Sequence, residues 1–235
     1  MTVDLIIPTL GQVKKLSHPY ICFENLHHIP WPVRIHIVNR GKSWAEAINI
    51  GLRQTDGNND IILMDDDVFI NGKTFSLISE FYDQADIFGF KLLFPDGKIQ
   101  HMGGYVKNGQ IGHIGYRLDS KEIEEPLKVC HATTSLVYIK RRVIDALFGM
   151  AENMPGIQME DVDFSFRALK KGFTILCLPS EAIHLESATK RHEVNFQEKI
   201  SEAFREIVRR HLGDKDFLNL VESYPKKIVL EEAIS

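Results

Sequence analysis

Nowhere in the sequence does an apolar run approach the roughly 18 to 20 residues needed to span a bilayer, and Met1 to Pro8 place no basic stretch ahead of their short apolar run. Neither a membrane-crossing helix nor a secretory leader is expected, so the reading is a cytoplasmic protein, with peripheral contact at the inner face of a membrane as the further option. Basic charge is scarce too. The 28 Lys and Arg stand against 32 Asp and Glu, a formal net charge of −4, whereas nucleic-acid-binding domains carry a basic excess or stripe. No nucleic-acid partner is expected. Cysteine is limited to Cys22, Cys130 and Cys177; an odd number without metal-type spacing suggests neither a disulfide framework nor a cysteine zinc site. Repeats, low-complexity tracts and Pro/Ser-rich linkers are missing, and no Gly-rich Walker-type loop runs into Lys and Ser/Thr.

What is present is enough apolar matter for one large domain: 44% of 235 residues are hydrophobic, which suits a sheet covered on both faces. Val3 to Pro8 reads as a buried strand left through Thr9-Leu10-Gly11. Val33 to Val38 reads as a second strand with Asn39-Arg40-Gly41 as its turn. Ser43 and Glu46 have capping-box spacing, and Trp44, Ile48 and Leu52 recur at helical intervals before the strand Asp60 to Met64. This is a β-α-β half of the kind that builds a nucleotide-binding crevice. Further on, the pattern predicts a helix over 73 to 83, a hairpin of Ile87–Phe94 with Lys98–His101 across Pro95-Asp96-Gly97, and an irregular glycine-rich excursion from 103 to 126. A strand is expected over 129 to 139, helices over 141 to 148 and 159 to 171, and a last strand over 173 to 178 ending before Pro179. A packed helix over 193 to 212 completes the main domain, 1 to 212. A helical extension and tail, 213 to 235, follow.

Three chemical features stand out of this frame. Asp65-Asp66-Asp67 leave the C-terminal end of the strand Asp60–Met64, where open α/β sheets bind ligands, and adjacent carboxylates in a cleft repel unless a cation sits among them. A hard divalent ion, Mn²⁺ or Mg²⁺, is the expected cofactor, with Asp67 as a direct ligand and Asp65 towards a ribose or metal-bound water. Glu160-Asp161 open a helix; acidic residues there are favoured by the helix dipole in any protein, yet Asp161 also suits a general base. Asp163 has the spacing to pair with Arg167 and is read as structural. His184, just past the last expected strand, offers an imidazole as a third ligand beside carboxylates. His27, His28, His36 and His101 have no comparable arrangement.

The order of these elements resembles the family 2 glycosyltransferases of GT-A fold. Ile6-Ile7-Pro8-Thr9 looks like their opening strand, Asn49-Ile50-Gly51-Leu52 like their Asn-x-Gly helix, and Leu63 to Asp67 like their Asp-x-Asp region. The segment Phe94 to Gly104 resembles one common in the rhamnosyltransferase-like branch, and Glu160 to Arg167 their Glu-Asp-x-Asp helix. The likeness covers roughly residues 3 to 212. It implies a single Rossmann-like α/β domain with a mixed central sheet flanked by helices, and an inverting, hexosyl-type transfer from a nucleoside-diphosphate sugar to an acceptor hydroxyl, in glycan or polysaccharide biosynthesis.

The resemblance further implies Asp161 as base, Asp67 and His184 as metal ligands, and Pro8, Thr9, Asn39, Asp65 and Asp66 as donor-binding residues. Glu160, Gln100 and Arg40 are additional candidates. A UDP- or dTDP-sugar is the favoured donor, and a glycan or lipid-linked glycan the expected acceptor. The chain departs from many relatives at Asn39-Arg40-Gly41-Lys42-Ser43, where they have a longer acidic and serine-rich turn. Two other functions compete: another metal-dependent nucleotidyl or phosphoryl transferase, and a non-catalytic sugar-nucleotide-binding module.

Overall fold

The computed structural model describes residues 2–9, 25–155, 158–185 and 195–227. Strands β1 (Val3–Pro8), β2 (Val33–Val38) and β3 (Asp60–Met64) form where the sequence places them. β1 lies between β2 and β3 and is parallel to both. Helix α1 (Trp44–Leu52) connects β2 to β3, and the Ser43 hydroxyl accepts the Glu46 N–H at 3.1 Å as its N-cap. The Asn-x-Gly pattern in α1 has a packing explanation. A Cβ on Gly51 would lie 2.5 Å from Ile6 Cγ2, so only glycine lets α1 rest on β1. Buried Asn49 ties α1 to the loop at 150 by donating to the Met150 carbonyl at 2.9 Å and accepting its N–H at 2.8 Å.

After β3 come a two-residue strand β4 (Val68–Phe69), the short helix α2 (Ile78–Phe81), β5 (Ile87–Leu93) and β6 (Ile99–His101). The helix expected over 73 to 83 is thus confined to its C-terminal part, followed by a 3-10 turn at Tyr82–Gln84. The glycine-rich stretch is not an irregular excursion. It contains an antiparallel hairpin, β7 (Gly104–Lys107) with β8 (Gln110–His113), turned by Asn108 and Gly109 at positive φ. Between Leu127–Lys128 (β9) and Leu136–Ile139 (β10) the chain is not a continuous strand, contrary to the expectation for 129 to 139. The loop 130 to 135 instead bridges to Gly104 through His131. The fit is close: a Cβ on Gly104 would fall within the His131 ring.

Helices α3 (Arg141–Leu147) and α4 (Glu160–Lys170) follow, and then β11 (Ile175–His184). β11 corrects the expectation that the last strand stops before Pro179. Its pairing with β5 slips between Leu178 and Glu181, so Pro179 sits in a bulge where its missing N–H breaks no ladder bond, and the strand continues. α5 (Phe196–Ile207) runs into a π-helical turn at Val208–Leu212, and α6 (Lys215–Glu222) and β12 (Lys226–Lys227) end the described chain. The expected helix start at 193 lies outside the described residues, as does the tail from 228. Among the described residues, no helix is long and apolar enough to cross a membrane.

The main sheet runs β12-β9-β11-β5-β10-β3-β1-β2, with β10 antiparallel to both its neighbours. Alternation along the strands feeds two cores. Ile6, Ile61 and Leu63 pack with Ile48, Val143, Phe164 and Phe166 on one face, while Leu5, Ile7, Ile62 and Met64 pack with Phe75, Phe88 and Phe90 on the other. Phe217 and Val221 of α6 join the first core.

Helix α4 is clamped at its first turn. Asp163, fully buried, accepts from Arg167 Nε at 2.8 Å and lies 2.9 Å from His211 Nε2. Arg167 also reaches the Leu147 and Gly149 carbonyls. Burial works to raise the Asp163 carboxyl, but His211 and Arg167 override it and hold the group below its ordinary value. Asp163→Asn is expected to lower stability by about 2 to 4 kcal/mol, discounted from the roughly 3 to 5 kcal/mol of a broken buried pair because Arg167 and Arg210, whose Nη1 lies 3.4 Å from Asp163 Oδ1, keep some solvent access. Since the folded value is depressed, the contribution of Asp163 is present above the unfolded value of about 3.9 and is lost as pH falls through the folded one. Thermal melts of both proteins from pH 7 to pH 3 check this: the gap between their Tm values should narrow on acidification, and a constant gap would contradict the assignment.

Candidate active site

The C-terminal ends of β1, β2 and β3 lie side by side. Pro8 is paired with Val38, and the Thr9 N–H donates to the Val38 carbonyl at 2.8 Å. Asn39 and Arg40 follow directly and are exposed. Beside them the acidic triplet leaves β3. The Asp65 N–H donates to the Ser135 carbonyl at 2.8 Å, and the Asp65 carboxylate takes hydrogen bonds from Ser135 and from Trp44 Nε1, the latter at 3.3 Å. Asp66 and Asp67 complete the turn, partly buried.

His184 reaches this turn because β5 and β11 extend beyond the end of β3. The last residues of β11, Ile183 and His184, pair antiparallel with Phe69 and Val68, the strand that begins right after Asp67. The Leu185 N–H donates to the Asp67 carbonyl at 3.2 Å, and His184 Nε2 lies 3.2 Å from Asp67 Oδ1. His184 is therefore the last residue of a long strand rather than a residue just past a short one.

Asp65, Asp67 and His184 each place one ligand atom within 4.8 Å of the others. Two carboxylates and an imidazole are a donor set suited to Mn²⁺, and the carboxylates also to Mg²⁺. Among the described residues, no lysine or arginine forms an ion pair with Asp65 or Asp67. Burial pushes the Asp65 carboxyl up to about 6, with His184 opposing the rise and Asp67 adding to it. A divalent cation would relieve that repulsion.

On the other side of the 133 to 135 segment stands Asp161. Its carboxylate accepts the Val162 N–H at 2.8 Å and is hydrogen-bonded to Thr133. Burial pushes this carboxyl up to about 7, and the Glu160 carboxylate adds to the rise. Glu160 accepts the Met159 N–H at 3.0 Å, and burial raises its carboxyl as well. The Ser135 N–H donates to Thr133 Oγ1 at 3.4 Å, so a three-residue segment touches Asp65 at one end and Asp161 at the other.

Of the residues that brace these groups, sequence reasoning named Gln100 as a candidate without a role and missed His101 and Thr133. Gln100 Oε1 lies 2.6 Å from His184 Nδ1. His101 Nε2 accepts the Thr133 N–H at 3.1 Å, and its Nδ1 lies 2.7 Å from His113 Nδ1. Burial, with the nearby His113 and His131 rings, holds His101 well below the ordinary imidazole range, and burial brings His131 down to about 3. His101, which the sequence left unassigned, is a neutral buried spacer behind Thr133. His113 also lines a shallow groove of about 510 Å³ with Tyr105, Tyr116, Leu118 and Pro225. Only the local motif Gln100-His101 ahead of Gly103-Gly104 hinted at this cluster.

No family model matches the sequence. The uncharacterized protein y4gI of Sinorhizobium fredii is 29% identical over 153 residues, covering 61% of this chain and 16% of that protein. The O-antigen biosynthesis protein RfbC of Myxococcus xanthus is 32% identical over 112 residues, covering 44% of this chain and 9% of that protein. The chain thus spans a small part of the length of the curated relatives it matches. Among solved structures, S. aureus TarS 1-349 in complex with UDP-GlcNAc superposes with a TM-score of 0.57 at 15% identity, over 88% of this chain and 67% of that one. The mannosyltransferase PcManGT from Pyrobaculum calidifontis, in complex with GDP-Man and Mn²⁺, gives 0.56 at 12% identity, over 88% and 64%. The catalytic domain of Drosophila β1,4-galactosyltransferase 7 with xylobiose gives 0.53 at 15%, over 84% and 78%. The protein has the GT-A glycosyltransferase fold. The similarity to RfbC agrees with the resemblance of its motifs to family 2.

The raised carboxyl of Asp161 carries a stability signature. A carboxyl whose folded value lies above its unfolded value favours the fold below the unfolded value, and that contribution is lost as pH rises through the folded value. With about 3.9 unfolded and about 7 folded, the loss spans that window. Asp161→Asn, which keeps the acceptor oxygen for the Val162 N–H, should therefore stabilise the metal-free protein at pH 8 by at least about 1 kcal/mol, or roughly 2–4 °C in Tm. At pH 4 the two proteins should melt together. A variant that melts lower than wild type at pH 8 would show Asp161 to be a structural carboxylate.

Proposed function

We propose that the chain is an inverting glycosyltransferase that moves a sugar from a nucleoside-diphosphate donor to an acceptor hydroxyl. The observation that carries this reading is the placement of a metal-capable group and a raised carboxyl on either side of Thr133–Ser135, at the ligand-binding edge of a GT-A sheet. Asp67 and His184, with Asp65 beside them, would hold the cation, Mn²⁺ or Mg²⁺. When bound, it would supply the positive charge that stabilises the departing diphosphate. Pro8 and Thr9 at the end of β1, with Asn39 and Arg40 at the end of β2, would line the nucleotide, and Asp65 and Asp66 would face its ribose.

Asp161 takes the proton of the acceptor hydroxyl as that oxygen bonds to the anomeric carbon. The carbon–oxygen bond to the diphosphate breaks, its electron pair leaves with the diphosphate, and the anomeric configuration inverts. A carboxyl near 7 is suited to this: ionised at working pH, yet a better proton acceptor than an ordinary aspartate. The groove beside His113, with two tyrosine rings to stack on sugar faces, is the surface we assign to a glycan acceptor. The sequence favoured UDP or dTDP, but UDP-GlcNAc and GDP-Man both occur on neighbouring structures. The fold therefore does not select the base, and a thermal-shift panel of UDP-, dTDP- and GDP-sugars with Mn²⁺ identifies the donor.

With that donor, Asp161→Asn should lower turnover by about 10² to 10⁴-fold while the donor Kd changes less than about threefold, well under 1.4 kcal/mol. EDTA should abolish transfer, with recovery on adding Mn²⁺ or Mg²⁺, and Asp67→Ala should not recover. Product analysis separates the alternatives. Release of a nucleotidyl or phosphoryl product would replace sugar transfer with the competing chemistry, and donor binding without turnover would leave a binding module. Near-wild-type turnover by Asp161→Asn would remove it as base and turn attention to Glu160.

A further inference from the structure

We propose that Gln100 is a positioning residue that fixes the tautomer of His184, so that its Nε2 lone pair faces the cation site. The inference rests on the metal site proposed above. Gln100 is aimed by a defect in the sheet. On β6, Ile99 and His101 pair with Leu93 and Leu92, adjacent residues of β5, so Gln100 is the extra residue of a bulge. Bulges re-aim side chains and are over-represented next to active sites. Here the bulge lets two successive residues serve one site, Gln100 contacting His184 and His101 accepting from Thr133.

The contact determines which ring nitrogen carries the proton. An amide oxygen only accepts, so with Gln100 Oε1 at 2.6 Å, His184 Nδ1 must donate. A neutral imidazole protonated at Nδ1 leaves its lone pair on Nε2, the atom that faces Asp67 Oδ1 at 3.2 Å. Ligating histidines commonly have their other nitrogen held in this way, and the holding group raises their basicity.

Gln100 Nε2 is buried without a hydrogen-bond partner. A buried donor without an acceptor is unfavourable for the fold, and a nonpolar side chain of similar length would avoid it. The placement therefore serves the bond to His184 rather than stability. Local violations of this kind occur at functional sites.

The test is titration of the metal-free protein with Mn²⁺ alone, following free Mn²⁺ by its EPR signal, on wild type, Gln100→Met and Gln100→Glu, with Tm measured before metal is added. Gln100→Met removes both the acceptor and the orphaned donor. We expect its Mn²⁺ affinity to fall about 10 to 100-fold, with a Tm equal to or above that of wild type. Gln100→Glu keeps an acceptor for Nδ1–H and should bind Mn²⁺ within about threefold of wild type, a difference below the tenfold that 1.4 kcal/mol represents. If Gln100→Met titrates like wild type, or Gln100→Glu is as weak as Gln100→Met, the tautomer role is overturned while the metal site stands. Failure of wild type to bind Mn²⁺ would overturn the site and this inference together.

Discussion

The site depends on one constraint: Asp65 and Asp67 at the end of β3 are held partly out of bulk water, and among the described residues no lysine or arginine forms an ion pair with either. Like charges so placed raise one another's proton affinity and strain the fold unless something positive arrives. What the strand geometry brings beside them is an imidazole. Two strands, β5 and β11, run past the end of β3 and β10, and that overhang lets Val68–Phe69 turn back antiparallel along the end of β11, beside His184. A basic residue at the same place would neutralise the carboxylates permanently and close the site. An imidazole donates a lone pair and leaves room for a cation to be gained and released.

The antiparallel strand β10 is the second half of the arrangement. Because it enters the sheet from the end where the parallel strands finish, the residues just before it, Thr133 to Ser135, arrive at the ligand-binding edge between Asp65 and Asp161. In an all-parallel sheet this edge would be served only by loops leaving strands. One reversed strand puts an incoming segment there, bonded to both sides. Behind it, His101 and His131 are kept neutral by burial, so the packing adds no charge near the base.

How much of this was legible follows from what each segment must do. β1, β3 and β5 are buried on both faces and read as mostly apolar runs, interrupted only by Asp4 in β1 and Lys91 in β5 and opened by Asp60 in β3, and α1 and α4 carry helical periodicity with acidic or hydroxyl first turns. The misread stretches are those where a local rule is broken for a tertiary reason. Pro179 argues for a strand end, but the bulge removes the ladder bond that its ring would break. Glycines from 103 to 115 argue for irregular chain, yet Gly104 is where the His131 ring must fit and Asn108-Gly109 make a hairpin turn. Val129 to Ile139 is apolar enough for one strand, but its first half is used to reach β7. Asp65, Asp67, Asp161 and His184 could be singled out from chemistry and order. Gln100, His101 and Thr133 could not be given roles, because those roles are contacts across 84, 32 and 28 positions, and no periodicity encodes them.

Of the raised carboxyls, Asp65 and Asp161 differ in what would relieve them. Beyond burial, Asp65 is raised further by the charge of Asp67, a fellow member of the candidate cation group, so a bound ion would act on the repulsion directly and favour the ionised form. Beyond burial, Asp161 is raised by the charge of Glu160, its neighbour on α4, which is not a member of the candidate cation group. A cation held by Asp65, Asp67 and His184 would therefore act more directly on Asp65 than on Asp161, which is not a member of that group.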